Sequence, residues 1–293
     1  MSPATDMRAG RVTLRTLSAH LGQKYYTYLP RRLRRPDLLL IAVHGISRNA
    51  REHALQFAQA AESLGCALLA PLMAEETAAG YQRLGWGRGE RRADLLLDAC
   101  IADLEARLSR CFPRLALWGF SGGAQFAHRY ALSQPQRVAA QVLGAAGWYT
   151  WPDPALRFPY GVSARGLRAQ QTLDLEGFLR IPTLVVVGSR DVVRDDATRT
   201  GPRLDEQQGH HRLERARRWV AAINAAALQR GLAAPAQLEV LPGVAHEFDA
   251  VVDAGGVGHA EAWWTRHALR AAAAPRVHAT KEGEIPCIRS SIA

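Results

Sequence analysis

Lysine is almost missing from this chain. Of the 37 basic Lys and Arg residues among 293, lysine supplies only Lys24 and Lys281, so the formal charge of +10 is an arginine charge. That bias fits a GC-rich coding sequence better than selection for phosphate contact. A basic surface ordinarily attracts nucleic acid or membrane, yet long basic runs are missing too. The short clusters "RRLRR" (Arg31 to Arg35) and "RLERARR" (Arg212 to Arg218) stand alone, without the interleaved aromatics of a nucleic-acid module. Neither nucleic acid nor membrane is expected as a partner. Cysteine is scarce as well. Cys66, Cys100, Cys111 and Cys287 are scattered, with no CxxC pair and no metal-ligand spacing, so no metal or cofactor is expected and the first three read as buried free thiols. No apolar run reaches membrane-spanning length, and "MSPATDMRAGRVTLRTL" lacks the apolar core and cleavage site of a secretory signal. A cytoplasmic protein is the expectation.

What is present is apolar material in alternating short and long segments. With 48% hydrophobic residues, the chain can bury a large core, and α/β folds of this length are commonly one domain. Strands are expected over 24–30, 37–45, 66–71, 114–120, 138–147, 182–189 and 236–243. Helices are expected over 50–64, 93–108, 122–133, 212–230 and 260–273. This is the pattern of a mostly parallel sheet covered by helices, here a single domain over 1–274 with no internal repeat. Residues 148–180 break the alternation and read as a short aromatic excursion over one end of the sheet. Residues 275–293 have no periodicity and read as a disordered tail.

The stretch "LALWGFSGGAQFAHRY" joins an expected strand directly to an expected helix through Gly119-Phe120-Ser121-Gly122-Gly123. This matches G-x-S-x-G, in which a serine on a tight strand-to-helix turn projects its hydroxyl and small neighbours keep the turn uncrowded. A glycine-rich turn capped by a serine is the plainer alternative. A serine hydroxyl is a poor nucleophile at neutral pH, so it needs a histidine base and an acid that orients the imidazole. "VVVGSRD" places Asp191 just past one strong strand, and "LPGVAHEF" places His246 just past the last. Each then lies at the C-terminal end of a parallel strand, where open α/β sheets build their sites. Asp195 and Asp196 are close enough in sequence to replace Asp191. His128 and His267 fall in helical patterns and read as structural, whereas His210, His211 and His278 read as solvated.

Acyl transfer also needs donors for an oxyanion. The Gly122 N–H follows the nucleophile directly, and "AVHGISRNA" offers the Ile46 N–H, with His44 stabilising its turn. Ser47 and Arg48 read as solvated loop polarity. Trp148 and Tyr149 in the excursion, and Trp86 in "YQRLGWGRGE", are expected to line a compact apolar substrate pocket. The cluster "AGGVGHA" lacks the spacing of a phosphate loop and reads as a loop before the final helix.

Together "VHGIS", "GFSGG", "VVVGSRD" and "PGVAHEF" resemble the α/β-hydrolase superfamily from about residue 38 to 273. Within it the chain is similar to bacterial poly(3-hydroxybutyrate) depolymerase-like and feruloyl-esterase-like serine esterases, which share the HG oxyanion loop and a small or absent lid. The resemblance implies a serine hydrolase acting on a small-molecule ester without a cofactor, and the short aromatic excursion leads to a short acyl or small aryl group. A thioesterase or serine peptidase would use the same machinery, and an idle hydrolase fold could serve as a binding protein. Haloalkane dehalogenases and epoxide hydrolases need a carboxylate where Ser121 stands.

Overall fold

All seven expected strands form, and an eighth lies upstream of them. In chain order they are β1 (Val12–Thr16), β2 (Lys24–Tyr28), β3 (Leu38–Val43), β4 (Ala67–Leu72), β5 (Arg114–Phe120), β6 (Val138–Gly144), β7 (Thr183–Gly188) and β8 (Ala236–Leu241). The structure is a computed structural model that describes residues 7–17, 22–85, 91–168 and 170–269. The segment 275–293, expected to be a tail, lies outside the described residues, as do Trp86, Cys287 and His278.

The strands form one sheet in the order β1-β2-β4-β3-β5-β6-β7-β8. β2 runs antiparallel to both β1 and β4, and every other pair is parallel. β3 and β7 are buried at every residue, which requires cover on both faces and explains why they read as unbroken apolar runs. β1 has no such run. Of its five residues only Arg15 is buried, so its strand character comes from the ladder with β2, in which Val12 faces Tyr28.

Helices α1 (Ala50–Leu64), α2 (Glu75–Ala78), α3 (Ala93–Leu108), α4 (Gly122–Ser133), α5 (Leu175–Phe178), α6 (Pro202–Gln208), α7 (Arg212–Leu228), α8 (Phe248–Asp253) and α9 (Gly256–His267) complete the fold. α1 turns its His53, Ala54, Phe57, Ala61 and Leu64 face inward and stops at Gly65, whose φ of 68° is the left-handed cap geometry. α9 begins at Gly256, so the glycine cluster expected as loop is helical from its third residue onward. Cys66 and Cys100 are buried free thiols, whereas Cys111 is half-buried and not free. Among the described residues, no helix is long and apolar enough to cross a membrane.

Two buried histidines tie loops to the sheet. His44 Nε2 accepts the Met73 N–H at 3.0 Å, so its proton is on Nδ1, which donates to the Gly45 carbonyl at 2.6 Å. His128 Nε2 accepts the Thr150 N–H at 3.0 Å, and its Nδ1 donates to the Ala124 carbonyl at 2.8 Å. Both rings must stay neutral to accept these bonds. Burial lowers the His44 pKa to about 4 and holds that of His128 well below its ordinary value. The unfolded chain protonates these rings near pH 6.5 while the folded chain does not, so their contribution is complete above that pH and is lost on acidification. Urea unfolding between pH 7 and pH 5 should therefore show a shallow fall near pH 6.5 that steepens on acidification towards roughly 1.4 kcal/mol per pH unit for each such histidine. A flat profile would contradict this assignment.

Candidate active site

Four loops at the C-terminal edge of the parallel strands meet at Ser121. Val43 at the end of β3 pairs in register with Gly119 of β5. Because β4 lies on one side of β3 and β5 on the other, the chain leaves β3 and β5 beside the crevice that such a switch in strand order opens. Ser121 joins β5 to α4 at φ 52° and ψ −110°, a conformation a non-glycine residue adopts only when its surroundings impose it. Its N–H donates to the Gly144 carbonyl at 2.7 Å, and its carbonyl accepts the Gln125 N–H at 3.1 Å. The turn closes because two flanking residues lack a side chain. A β-carbon on Gly119 would stand 2.2 Å from the Gly123 carbonyl oxygen, and one on Gly123 would stand 2.1 Å from that of Val43.

The His246 ring stacks on Phe120, with centroids 5.2 Å apart and planes at 20°. Its Nε2 is 3.0 Å from Ser121 Oγ, and its Nδ1 is 2.7 Å from Asp191 Oδ2. Asp191 is buried, and its second oxygen lies 3.4 Å from Arg212 Nη1. Of the three neighbouring aspartates, Asp191 is the one that meets the histidine. Asp195 instead receives Arg212 Nη2 on both oxygens at 2.9 Å. Burial acts to raise the Asp195 pKa, but the Thr198 hydroxyl and the Arg212 guanidinium outweigh it and hold the carboxyl below its ordinary value. Asp196 is exposed.

Ile46 and Gly122 flank the serine. A β-carbon on Gly122 would touch Ile46 Cγ2 at 3.2 Å, and one on Gly45 would lie 3.5 Å from Ser121 Cβ. Neither the Ile46 nor the Gly122 N–H has an acceptor among the described residues. The Ile46 loop is held by His44 and by the Tyr81 hydroxyl, which donates to the His44 carbonyl at 2.9 Å. Arg48 reaches away to the Met73 carbonyl and Glu75, and the Ser47 hydroxyl donates to Asn49.

A cleft of about 320 Å³ opens beside Ser121, lined by Ile46, Ala79, Gln82, Arg83, Gln125, Gly147, Trp148, Ala197, Arg199 and Arg212. The sequence led to an apolar, aromatic pocket, and two parts of that expectation need correction. Only Trp148 of the excursion's aromatics lines the cleft, and its other walls are rich in amide and guanidinium groups. Tyr149 does not line it at all. The Gln208 amide pairs with both the Tyr149 N–H and its carbonyl, at 2.9 and 2.8 Å. That pairing turns the ring inward to stack on Trp219, centroids 4.6 Å apart. Arg212, Gln125 and Arg199 were missed by the sequence reading. Arg212 and Arg215 sit one helical turn apart and are both buried, a spacing that sets them apart from the exposed Arg217 and Arg218. A second hollow of about 490 Å³, along Gly258, Glu261, Ala262, Thr265 and Arg266 of α9, has no histidine among its lining residues to activate the Thr265 hydroxyl.

Comparison with known families matches residues 24–201 to the family described as Serine hydrolase (FSH1). Among solved structures, the chain is similar to LpqC, a poly(3-hydroxybutyrate) depolymerase from Bordetella parapertussis. The two share 26% identity at a TM-score of 0.72, covering 91% of this chain and 95% of that one. It is also similar in fold to poly(aspartic acid) hydrolase-1 from Sphingomonas sp. KT-1, at 22% identity and a TM-score of 0.70, covering 85% and 97%. An S-formylglutathione hydrolase from Agrobacterium tumefaciens shares the fold at 15% identity and a TM-score of 0.57, covering 87% and 94%. Comparison with curated protein sequences gave no match.

The packing around the Ser121 turn predicts a contrast between two glycines. Gly123→Ala drives a methyl group into the end of β3 and should cost about 1–3 kcal/mol, seen as a lowered melting temperature. Gly258→Ala, in α9 with nothing within 4 Å, should be neutral or stabilising by about 0.5–1 kcal/mol. Equal melting temperatures for the two variants would contradict the close approach at Gly123.

Proposed function

The chain belongs to the serine hydrolase (FSH1) family, and from that premise we propose that it cleaves carboxylic esters of short acyl or small aryl groups through an acyl-enzyme. Ser121 is the nucleophile, His246 carries the proton, Asp191 positions His246, and the Ile46 and Gly122 N–H groups receive the oxyanion. The observation that carries this reading is the unbroken line from Ser121 Oγ through both ring nitrogens of His246 to Asp191 Oδ2, at 3.0 and 2.7 Å.

The tautomer follows from the partners. A carboxylate accepts, so Nδ1–H donates to Asp191 and Nε2 is left to accept the Ser121 hydroxyl proton. As Oγ bonds to the ester carbonyl carbon, its proton passes to Nε2 and the carbonyl π pair moves onto oxygen. Each backbone donor aimed at that oxygen is worth roughly 3 kcal/mol of barrier. Collapse of the intermediate breaks the bond to the alkoxy oxygen, which leaves with the proton from Nε2. A water then gives a proton to Nε2 and attacks the acyl carbon. Its collapse frees the acid and returns the proton to Ser121. The ester preference draws support from the 26% identical neighbour, described as a depolymerase of a polyester.

Assays of p-nitrophenyl esters, acyl-CoA and peptide amides side by side should show turnover of the esters. Ser121→Ala should lower ester turnover by orders of magnitude at unchanged melting temperature. Asp191→Asn should lower kcat by roughly a thousandfold or more, whereas Asp195→Asn and Asp196→Asn should do little. Ester turnover retained in Ser121→Ala would sink the nucleophile, and a large loss at Asp195 with Asp191→Asn active would move the acid.

The cleft is small and bounded on its apolar side by Ile46, Ala79, Trp148 and Ala197. Among neutral esters, kcat/KM should be highest from acetyl to hexanoyl or small aryl groups. It should change in graded steps, because each fitted methylene is worth only about 1–3 kcal/mol. Trp148→Ala should lower kcat/KM on these esters at least about tenfold while circular dichroism remains native. A steady rise out to palmitoyl esters, or an unchanged Trp148→Ala enzyme, would contradict this pocket.

A further inference from the structure

The lining of the cleft is unbalanced in charge. It includes the guanidinium groups of Arg83, Arg199 and Arg212, and no carboxylate among its lining residues. Arg212 is taken up by Asp195 and Asp191. Arg199 is not taken up by any carboxylate among the described residues. It meets the Tyr160 hydroxyl and lies 5.4 Å from the ring centroids of both Trp148 and Tyr160. Aromatic faces attract a cation without neutralising it.

Behind this wall lies a second cation. Arg129 is fully buried on α4, with its guanidinium carbon 4.1 Å from the Trp148 ring centroid. Its Nε donates to Thr150 Oγ1 at 2.9 Å and its Nη1 to the Gln82 carbonyl at 2.6 Å, while Nη2 has no acceptor. Among the described residues, no carboxylate pairs with it. Burial, followed by repulsion from Arg83 and Arg199, draws its pKa well below the ordinary arginine value. An unpaired buried cation is costly, and the cost falls when a negative charge arrives nearby.

Arg129 also fixes the orientation of a donor in the wall. Its Nη1 is 3.5 Å from the Gln125 amide and can only donate, so Gln125 turns Oε1 towards it. Gln125 Nε2 is then left on the side of Gly147, where a β-carbon would stand 2.9 Å away. That N–H group has no acceptor among the described residues.

We propose that this cleft selects an ester that also bears a carboxylate, held by the Arg199 guanidinium and the Gln125 amide while Ser121 attacks the ester carbonyl. The planar fork of a guanidinium matches a carboxylate in two parallel hydrogen bonds. Arg129 adds attraction from behind without touching the substrate. This proposal rests on the ester reading of the same site and narrows its substrate class.

The test uses the full chain and two matched pairs of esters, with background hydrolysis subtracted. p-Nitrophenyl hemiadipate against p-nitrophenyl hexanoate places the carboxylate on the acyl side. 4-Acetoxybenzoate against methyl 4-acetoxybenzoate places it on the alcohol side. The anionic member of at least one pair should have kcat/KM about tenfold or more above its neutral partner, as a charge-assisted hydrogen bond gives. Arg199→Gln should bring that ratio to about one, and Arg199→Lys should retain part of it. Anionic esters that are no better than their neutral partners, or an advantage that survives Arg199→Gln, would overturn the proposal. Failure of all four esters to be hydrolysed would instead overturn the ester reading beneath it.

Discussion

The hydrogen bond from the Ser121 N–H to the Gly144 carbonyl, 2.7 Å long, holds the turn on which the site is built. It pins a non-glycine residue at positive φ, a conformation that costs of order 1–3 kcal/mol when nothing compensates it. Compensation comes from both neighbours in the sheet. Gly123 is pressed against the end of β3 and Gly144 closes β6, so the turn keeps its shape only while β3, β5 and β6 remain in register. Ala145, the next residue, also has positive φ, and its N–H donates to Val186 of β7. The strain is thus carried by adjoining strand ends of one parallel sheet, and those ends are the edge where Asp191 and His246 emerge.

A second constraint comes from one turn of α7. Arg212 joins Asp191 to Asp195, and Arg215, three residues on, donates to the Gly209 carbonyl, the Gly147 carbonyl and Asp205. The buried Arg215 guanidinium therefore ties the segment after β7 to the loop after β6, which bears Trp148, while the buried Arg212 secures Asp191 and Asp195 within the loop after β7. Removing Arg215 would take its donor from the buried Gly147 carbonyl, and an orphaned buried acceptor is costly. The same arginine richness gives the cleft its surplus of positive charge. Where arginines have a structural carboxylate they organise loops, and where they lack one, at Arg199 and Arg129, the charge is left facing or lying behind the substrate space.

Much of this was legible in the sequence, for definite reasons. β3, β5 and β7 were visible because they are buried on both faces and are therefore written as nearly unbroken apolar runs. Ser121, Asp191 and His246 stood out because each follows an expected strand, and the structure brings His246 within hydrogen-bonding reach of the other two. β1 was not legible, because an edge strand with one buried residue has no hydrophobic signature. The direction of the Tyr149 ring was not legible either, since it depends on the Gln208 amide nearly sixty residues away in sequence. The pairing of Arg212 and Arg215 was not legible, because composition does not reveal that Asp191, Asp195 and Asp205 converge on them from the segment before α7. Trp86, expected at the pocket, lies outside the described residues.

The account turns on Ser121 being a nucleophile activated by the His246 it touches. Incubation of the full chain with a fluorophosphonate, followed by intact mass and peptide mapping, measures this directly. The account predicts one phosphonyl group per chain, located on Ser121, with labelling strongly slowed in His246→Ala. Labelling at another residue, no labelling of the folded protein, or an unchanged rate in His246→Ala would contradict it.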